Sequence, residues 1–502
     1  MNYEVVVVGA GIGGLTLAAL LAARGMGVCV LERESRVGGC AATFERFNYR
    51  FESGAGLYAG WQPEGIHARI FAELPIAPPT VRRLTPAYVV RLPDETEVRV
   101  GVESAEEFHD ELRRAFPECA ETTIAFYREI GPLADALRRS VRRAPALATL
   151  SKIQRMTLLA AEMRAASRIL ALERQTVTPL LAGTSFRFRR FIDAQLQIFA
   201  GRASDECAAL YAVVALTEPQ HGLYAIHGGA EALTNALAES IKKTGGTIRL
   251  DTTALRLAYD ASGQRVAGVT LLSGETVTAT RAVVSNLTVW DTFGKLVGLN
   301  RTPSEVRAHL KDLRGWGAYL LYLGMDEETA QHLPGRQLLA LRDWQEGQAY
   351  DPESAQFMLS VSPAGDGLRA PAGKRAVIAS FFTDAADWFA YHEDESEHET
   401  QDQLMLEKCW ERLHAALPEL RGANIEVIET ATPHTFYEQT RRKLGMVGGV
   451  GQPLDVFGTR AFTHRTPLPN LYMVGDTVFP GNGIAAVTHS ALIAANEIAP
   501  PR

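Results

Sequence analysis

The sequence predicts an α/β fold in which a parallel, nucleotide-binding sheet is interrupted by a second, α+β domain. Three observations predict it. Tyr3–Val8 is a short apolar, β-branched run that runs straight into Gly9-Ala10-Gly11-Ile12-Gly13-Gly14 and then into the strong helix formers of Leu15–Arg24. The tail repeats that logic, with the apolar Leu471–Val474, a Gly475-Asp476 turn, the glycine-rich Phe479-Pro480-Gly481-Asn482-Gly483 and a helical run. Finally, 502 residues exceed one ordinary core, so two domains are expected.

Each part of the N-terminal unit has a physical job. A near-continuous apolar strand is what a sheet buried on both faces requires. Gly9 allows the tight turn, Gly11 lets backbone approach a pyrophosphate, and Gly14 lets helix and strand pack closely. The anion would sit on the helix N-terminus, where Ile12 and Gly13 offer free N–H groups and the dipole favours negative charge. The second strand, Val28–Leu31, ends in Glu32, eighteen residues after Gly14, where a carboxylate binds the ribose of an adenosine. Strand, glycines, helix, strand and acid in this order form a Rossmann-like unit. A nucleotide loop at residue 9 and an acidic glycine loop at residue 475 imply one long cofactor gripped by both chain ends, which is FAD rather than NAD.

The residues after Glu32 support FAD. Arg33 opens a stretch that ends in Gly38-Gly39 and continues through Cys40 and Ala41, small residues whose amides can approach a phosphate or ribityl chain. An aromatic hairpin, Phe47–Glu52, leads into a second glycine-rich turn, Ser53-Gly54-Ala55-Gly56. In these motifs the chain resembles the phytoene desaturase family of FAD-dependent oxidoreductases, which includes carotenoid desaturases, carotenoid isomerases and retinol-saturase-like enzymes. Glu52 stands where that family usually has Asp. The stretch Gly54–His67 and the Phe479-Pro480-Gly481-x-Gly483 tail are similar to the subgroup of bacterial C-3′,4′ carotenoid desaturases and carotenoid isomerases, although Ala491 and Asn482 depart from its pattern.

The resemblance covers three separated blocks. The middle one holds His221-Gly222-Leu223-Tyr224 and His227-Gly228-Gly229, a helix over Ala230–Lys243, and strands over Thr247–Leu250, Ala254–Tyr259, Val266–Leu272, Val277–Ala279 and Ala282–Ser285. It is similar to the middle of flavoproteins with two dinucleotide-binding domains, as in amine oxidases and phytoene desaturases, and the similarity implies that Ala254 meets the adenine through its backbone. Residues 1–75, 215–290 and 430–502 would then build one discontinuous FAD-binding domain, and 76–214 with 291–429 an interleaved α+β substrate domain. The latter should have a hairpin at Tyr88–Val100 turning at Pro93-Asp94-Glu95, a mostly helical segment after it, and strands at Ala318–Gly324, Phe357–Val361 and Ala376–Thr383.

Composition excludes several classes. A net charge of −7 gives no reason to expect nucleic acid. Five cysteines, odd in number and without a Cys-x-x-Cys pair, argue against a disulfide scaffold or zinc and for a reducing compartment. No metal site is expected: the acidic run His392–Glu399 reads as a solvated helix start. No basic region precedes the first strand, so a targeting peptide is not expected, and no apolar run is long enough to span a bilayer. A cytoplasmic protein is the expectation. Between Arg138 and Arg202, however, thirteen Arg or Lys face three acids, and Ile153, Met156, Ala160, Met163 and Leu170 recur at helical spacing. A basic amphipathic helix of that kind can dock peripherally on the cytoplasmic face of an anionic membrane.

For chemistry, Asp476 would contact the ribityl–phosphate part of FAD. The helix beginning at Gly483 would aim the amides of Ile484 and Ala485 at the flavin's pyrimidine edge, stabilising negative charge on the reduced ring. No nucleophile–base arrangement stands out, so no catalytic residue is assigned. His221, His227 and His489 lie near flavin-side segments but read as structural histidines. Arg187, Arg189 and Arg190 read as surface or membrane-facing. The resemblance implies a carotenoid desaturase passing a hydride from a C–H bond to flavin N5, with quinone or oxygen as final acceptor. The alternatives are a redox-neutral cis–trans isomerase using reduced FAD, or a retinol-saturase-like enzyme. A flavin amine oxidase, which needs an aromatic cage by the flavin and whose tail usually reads Gly-Glu followed by a Tyr-containing helix entry, fits Asp476 and Ala485 less well; a non-enzymatic flavin carrier or lipid-surface protein is the remaining class.

Overall fold

The computed structural model describes residues 2–54, 56–143, 150–342, 345–389 and 395–501. Ala55 of the second glycine turn and His392–Asp394 of the acidic run lie outside them.

Two seven-stranded sheets organise the chain. In the first, the parallel centre is Asn2–Val8, flanked by Val28–Leu31 and by the long strand Thr276–Ser285. Thr247–Arg249 extends one side. On the other, Thr276–Ser285 pairs through its first half with Val266–Leu271, which in turn pairs with Ala254–Tyr259, and through its second with the tail strand Leu471–Met473. Val283 is thus a register partner of both Val6 and Leu471, which brings the two chain ends to the same edge of the nucleotide loop. Val5, Val6 and Val7 are fully buried, as a strand covered on both faces must be. The helix Ile12–Ala23 lies across one face, packed between Ala230–Lys243 and the last helix, Ile484–Ile498. The expected break between Val277–Ala279 and Ala282–Ser285 does not exist. Thr280 and Arg281 contain no turn residue, and a register shift between Tyr3 and Val5 of the neighbouring strand absorbs the irregularity.

The second sheet runs Ile425–Ala431, Gly317–Asp326, Lys374–Thr383, Gln356–Val361, Gln337–Leu341, Tyr88–Arg91 and Glu97–Val100. Gln337–Leu341 pairs parallel to Tyr88–Arg91, so segments far apart in sequence share one sheet. Over this sheet the helices Ala120–Arg143, Phe186–Ala200 and Ala209–His221 close a core with Phe116, Phe188 and Phe191 at its centre. The last of these helices crosses position 215, and Val289, Trp290, Phe293 and Leu310 pack back onto the nucleotide sheet. The helix Glu395–Ala416 opens with exposed acids, and His398 packs its ring 5.7 Å from Trp388 and 5.0 Å from His434. Among the described residues no group of side chains could hold a metal ion, and no helix is long and apolar enough to cross a membrane.

Candidate functional site

At the carboxyl end of the first sheet the glycine loop forms with almost no tolerance for side chains. Gly9 adopts φ +97°, and its N–H donates to Leu31 O at 2.8 Å. A Cβ on Gly14 would lie 2.2 Å from Gly9 O, so only glycine lets helix and strand approach this closely. The helix begins at Gly11 with no side-chain cap and no acid in its first turn, which leaves its first N–H groups free for an anion. Gly38-Gly39 folds onto this loop: Gly38 N donates to Ala10 O, and a Cβ on Gly39 would sit 3.4 Å from Gly11 Cα. The Glu32 carboxylate is oriented by Ala10 N at 2.6 Å and Glu34 N at 3.0 Å, one donor on each oxygen, with lone pairs left for ribose hydroxyls.

The tail supplies the opposite wall. Val474 N donates to Ser285 O, Gly475 turns at φ +120°, and the Asp476 carboxylate receives both Arg442 guanidinium nitrogens at 3.3 and 2.9 Å. Asp476 holds Arg442 firmly charged against the burial that opposes it. The last helix starts at Gly483 (φ +92°), again without a side-chain cap or an acid in its first turn. Two uncapped helix N-termini therefore face one cavity of about 840 Å³. Backbone amides at both ends, a carboxylate at ribose distance from the loop and space denied to any Cβ form a cradle that fits a dinucleotide.

Of the residues expected at a cofactor site, Gly9, Gly11, Ile12, Gly13, Glu32, Arg33, Gly39, Cys40, Ala41, Gly56, Ala254, Gly475, Asp476, Gly483 and Ile484 all line this cavity. Gly14 lies behind it, in the helix–strand contact. Ala485, expected at the site, is not among its walls: its Cβ lies 3.0 Å from where a Cβ on Gly60 would be. Three residues escaped the sequence reading. Asn286, at the end of the long strand, fills the space that Cβ atoms on Gly11 (2.8 Å) and Gly13 (2.5 Å) would need, and lies 3.4 Å from that of Gly475, so it joins the two glycine loops. Arg442 sits in a basic triplet with no motif around it. Tyr58 lines the wall and donates its hydroxyl to Glu52. Glu52 itself, buried, also accepts from Ala230 N and from Arg369, both at 2.8 Å. The extra methylene over Asp lets it tie the hairpin to a helix N-terminus and to Arg369 at once.

The rest of the cavity is mostly apolar and aromatic, with Phe199, Trp316, Met358, Phe382 and Phe436 among its walls and Gln197, Gln356 and Ser380 between them. None of the histidines singled out lines it. His221 pairs with Asp135 at 3.0 Å, His227 is exposed, and His489 is half-buried near Arg69, Arg142 and His67, with desolvation pushing it down to about 4. Arg190 corrects the expectation of a surface residue: it is 5% exposed, pairs with Asp193, and lies 5.2 Å from the Tyr350 ring centre. The basic stretch is likewise less cationic than its sequence, because Glu218, Glu129, Asp94 and Glu206 from outside or beside it pair with Arg138, Arg168, Arg187 and Arg202.

Comparison with known proteins agrees with this geometry. The chain is 27% identical to the chloroplastic prolycopene isomerase of Daucus carota, over 99% of this chain and 80% of that protein. It is 23% identical to a 4,4'-diapophytoene desaturase of Methylomonas, over 99% and 95%. The fold matches that of an oxidoreductase from Methanosarcina mazei with a TM-score of 0.62, at 18% identity over 98% of this chain and 99% of that one. The model of the flavin containing amine oxidoreductases matches residues 12–499. With that match spanning both ends of the nucleotide cradle, the chain belongs to the flavin containing amine oxidoreductase family and is an FAD-dependent oxidoreductase.

Proposed function

We propose that the enzyme is a carotenoid desaturase, with FAD extended from Glu32 to Ile484 and an acyclic or long-chain polyene in the apolar half of the cavity. The observation that carries this reading is the continuity of one cavity between the glycine cradle and an aromatic wall without a histidine. The similarity to a carotenoid isomerase and a carotenoid desaturase supports the substrate class. In this reading residues 1–75, 215–290 and 430–502 bind FAD, and 76–214 with 291–429 receive the substrate.

When bound, the flavin would supply a hydride acceptor at N5 for a C–H bond beside the conjugated system, the adjacent carbon losing its proton to solvent as the double bond forms. The chain's own residues do the rest. Amides at Gly11–Gly14 would hold the pyrophosphate, Glu32 the adenosine ribose, and Asp476, fixed by Arg442, the ribityl hydroxyls. The N-terminus of Ile484–Ile498 places positive potential where the reduced ring gathers negative charge. Phe199, Trp316 and Phe382 exclude water and hold the polyene by contact alone. A quinone or oxygen takes the electrons onward. The isomerase reading, favoured by the similarity to prolycopene isomerases, uses the same site without net oxidation.

Purified holoenzyme mixed without oxygen with an acyclic polyene tests this. Desaturation bleaches the flavin and yields a product lighter by two hydrogens. With the flavin first reduced by dithionite, a product of unchanged mass and altered double-bond geometry selects the isomerase, a heavier one the saturase. Peroxide formation with amines in air, together with no change in any polyene under either condition, would overturn the polyene reading.

A lipid-soluble substrate also needs a route in. We infer peripheral docking through Lys152–Ala161 and Met163–Leu172, where Ile153, Met156, Met163 and Leu170 are 53–79% exposed beside Arg164 and Arg168. Co-sedimentation with anionic vesicles at low salt is the expected result; no binding to such vesicles would overturn it.

A further inference from the structure

We propose that the enzyme selects a polyene bearing an oxygen, a hydroxyl, carbonyl or carboxylate, which two buried carboxamides, Gln197 and Gln356, hold inside the apolar half of the cavity. The inference rests on the polyene reading above and narrows its substrate class.

Both side chains line the cavity, from different elements: Gln197 on the helix Phe186–Ala200 and Gln356 at the start of the strand Gln356–Val361. They are 3% and 1% exposed, and in each the amide nitrogen Nε2 is buried without a hydrogen-bond partner among the described residues. A buried N–H left unmade is expensive, and one orphan donor can be an accident of packing; two lining one cavity, neither with an acceptor among the described residues, ask for an acceptor on the ligand.

The surroundings fix where those donors point. The Tyr350 hydroxyl donates to Gln356 Oε1, which turns Nε2 to the opposite side. Tyr350 is itself held by the Arg190 guanidinium on its ring and stands close enough to Asp193 to feel its charge. Asp193 and Gln197 are four residues apart, hence on one face of their helix and one turn from each other. The chain Asp193–Tyr350–Gln356 therefore brings both amides to the same part of the wall. Around them Phe199 and Met358 offer no acceptor, and the nearest hydroxyl on the same wall is that of Ser380, the register partner of Met358. A hydrocarbon placed here would leave both N–H groups dry, whereas an oxygen with two lone pairs would accept from both. Discrimination of that kind is strong because the penalty falls on the wrong ligand.

The test uses holoenzyme and two probes on the same acyclic chain, lycopene and an apo-lycopenal, with binding read from the shift in polyene absorption. The aldehyde should bind about tenfold or more tightly than the hydrocarbon, one tenfold step being what a single well-made hydrogen bond supplies. Gln356→Met and Gln197→Met keep side-chain length and remove the amide. Each should erase most of that preference, chiefly by tightening lycopene binding, while leaving FAD content and the flavin spectrum unchanged. Equal binding of the two probes to the wild type would overturn the inference while the polyene reading stands. So would variants that lose FAD or alter the flavin spectrum equally with either probe, since the amides would then serve the cofactor. Binding of neither probe would overturn the polyene reading and this inference with it.

Discussion

The two halves of the one cavity are built by opposite means. The nucleotide half is made of backbone: glycines whose missing Cβ atoms leave room, helix ends whose amides are free, and a single carboxylate on a strand end. The apolar half is made of side chains drawn from Phe186–Ala200, Gly317–Asp326, Gln356–Val361 and Lys374–Thr383, with no local motif among them. Backbone constraints are written in short stretches and tolerate almost no change. Side-chain walls are distributed and forgiving. Substitutions should therefore be severe and cofactor-specific in the first half, and graded in the second.

The strongest break should come at Gly14. A methyl there would lie 2.2 Å from Gly9 O, a backbone atom that cannot swing aside. Overpacking of this kind costs about 3 kcal/mol or more, so Gly14→Ala should purify without FAD and melt well below the wild type. Yellow, normally melting Gly14→Ala protein would show that the helix can slide and that the cradle is less rigid than described. By contrast Met358→Leu, a volume-conserving change in the apolar wall, should cost less than about 1.5 kcal/mol and keep its FAD.

Next in size is the Glu52 knot between the halves. Glu52→Ala leaves Arg369, 5% exposed, as a buried charge without its carboxylate, a loss of roughly 3–5 kcal/mol. Glu52→Asp should recover only part of it, because the shorter side chain cannot reach Ala230 N and Arg369 together. Equal melting temperatures for Glu52→Asp and wild type would remove this account of why glutamate stands there.

A third difference concerns pH. Burial pushes His67 down to about 3 and His464 and His489 to about 4, all three beside the last helix or within it. A neutral histidine in the folded state, facing an ordinary value near 6.5 when unfolded, means that the unfolded chain binds more protons below that pH. Stability should thus be level above about pH 6.5 and fall as pH drops toward 4, by on the order of 1–3 kcal/mol for each fully buried ring. Thermal melts across that window measure the slope, and His464→Gln should flatten it. An unchanged slope in that variant would mean that the ring is not held neutral by its site.

The same contrast explains what the sequence could and could not say. Val28–Leu31, Ala230–Lys243 and Ala254–Tyr259 begin and end where glycine punctuation and periodicity place them. Gln337–Leu341 went unread because a short, uniformly buried run carries no period, and Ile425–Ala431 because an edge strand rich in glutamate looks like a loop. Asn286 and Arg442 acquire meaning only from what lies opposite them, the glycine loops and Asp476. Arg190 looked like one more basic surface residue until Asp193, Tyr350 and Gln348 closed around it. Local chemistry was legible; partners from distant segments were not.

The smallest effect on stability should come from the exposed apolar residues, and it separates surface from core most cleanly. Ile153 and Met163 are each 79% exposed, so burying them in the fold contributes little, and Ile153→Ser with Met163→Ser should change stability by less than about 0.5 kcal/mol each. If these side chains insert into lipid, the double variant should nevertheless lose most of its binding to anionic vesicles, since each buried methylene contributes about 0.8 kcal/mol at an interface. FAD content and activity on detergent-dispersed polyene should stay as in the wild type. A double variant that sediments with vesicles as well as the parent would assign whatever membrane affinity exists to the arginines alone, and salt would then abolish it completely. One that melts far lower would mean that the pair packs against residues outside the described ones, and the helices would no longer count as a free surface.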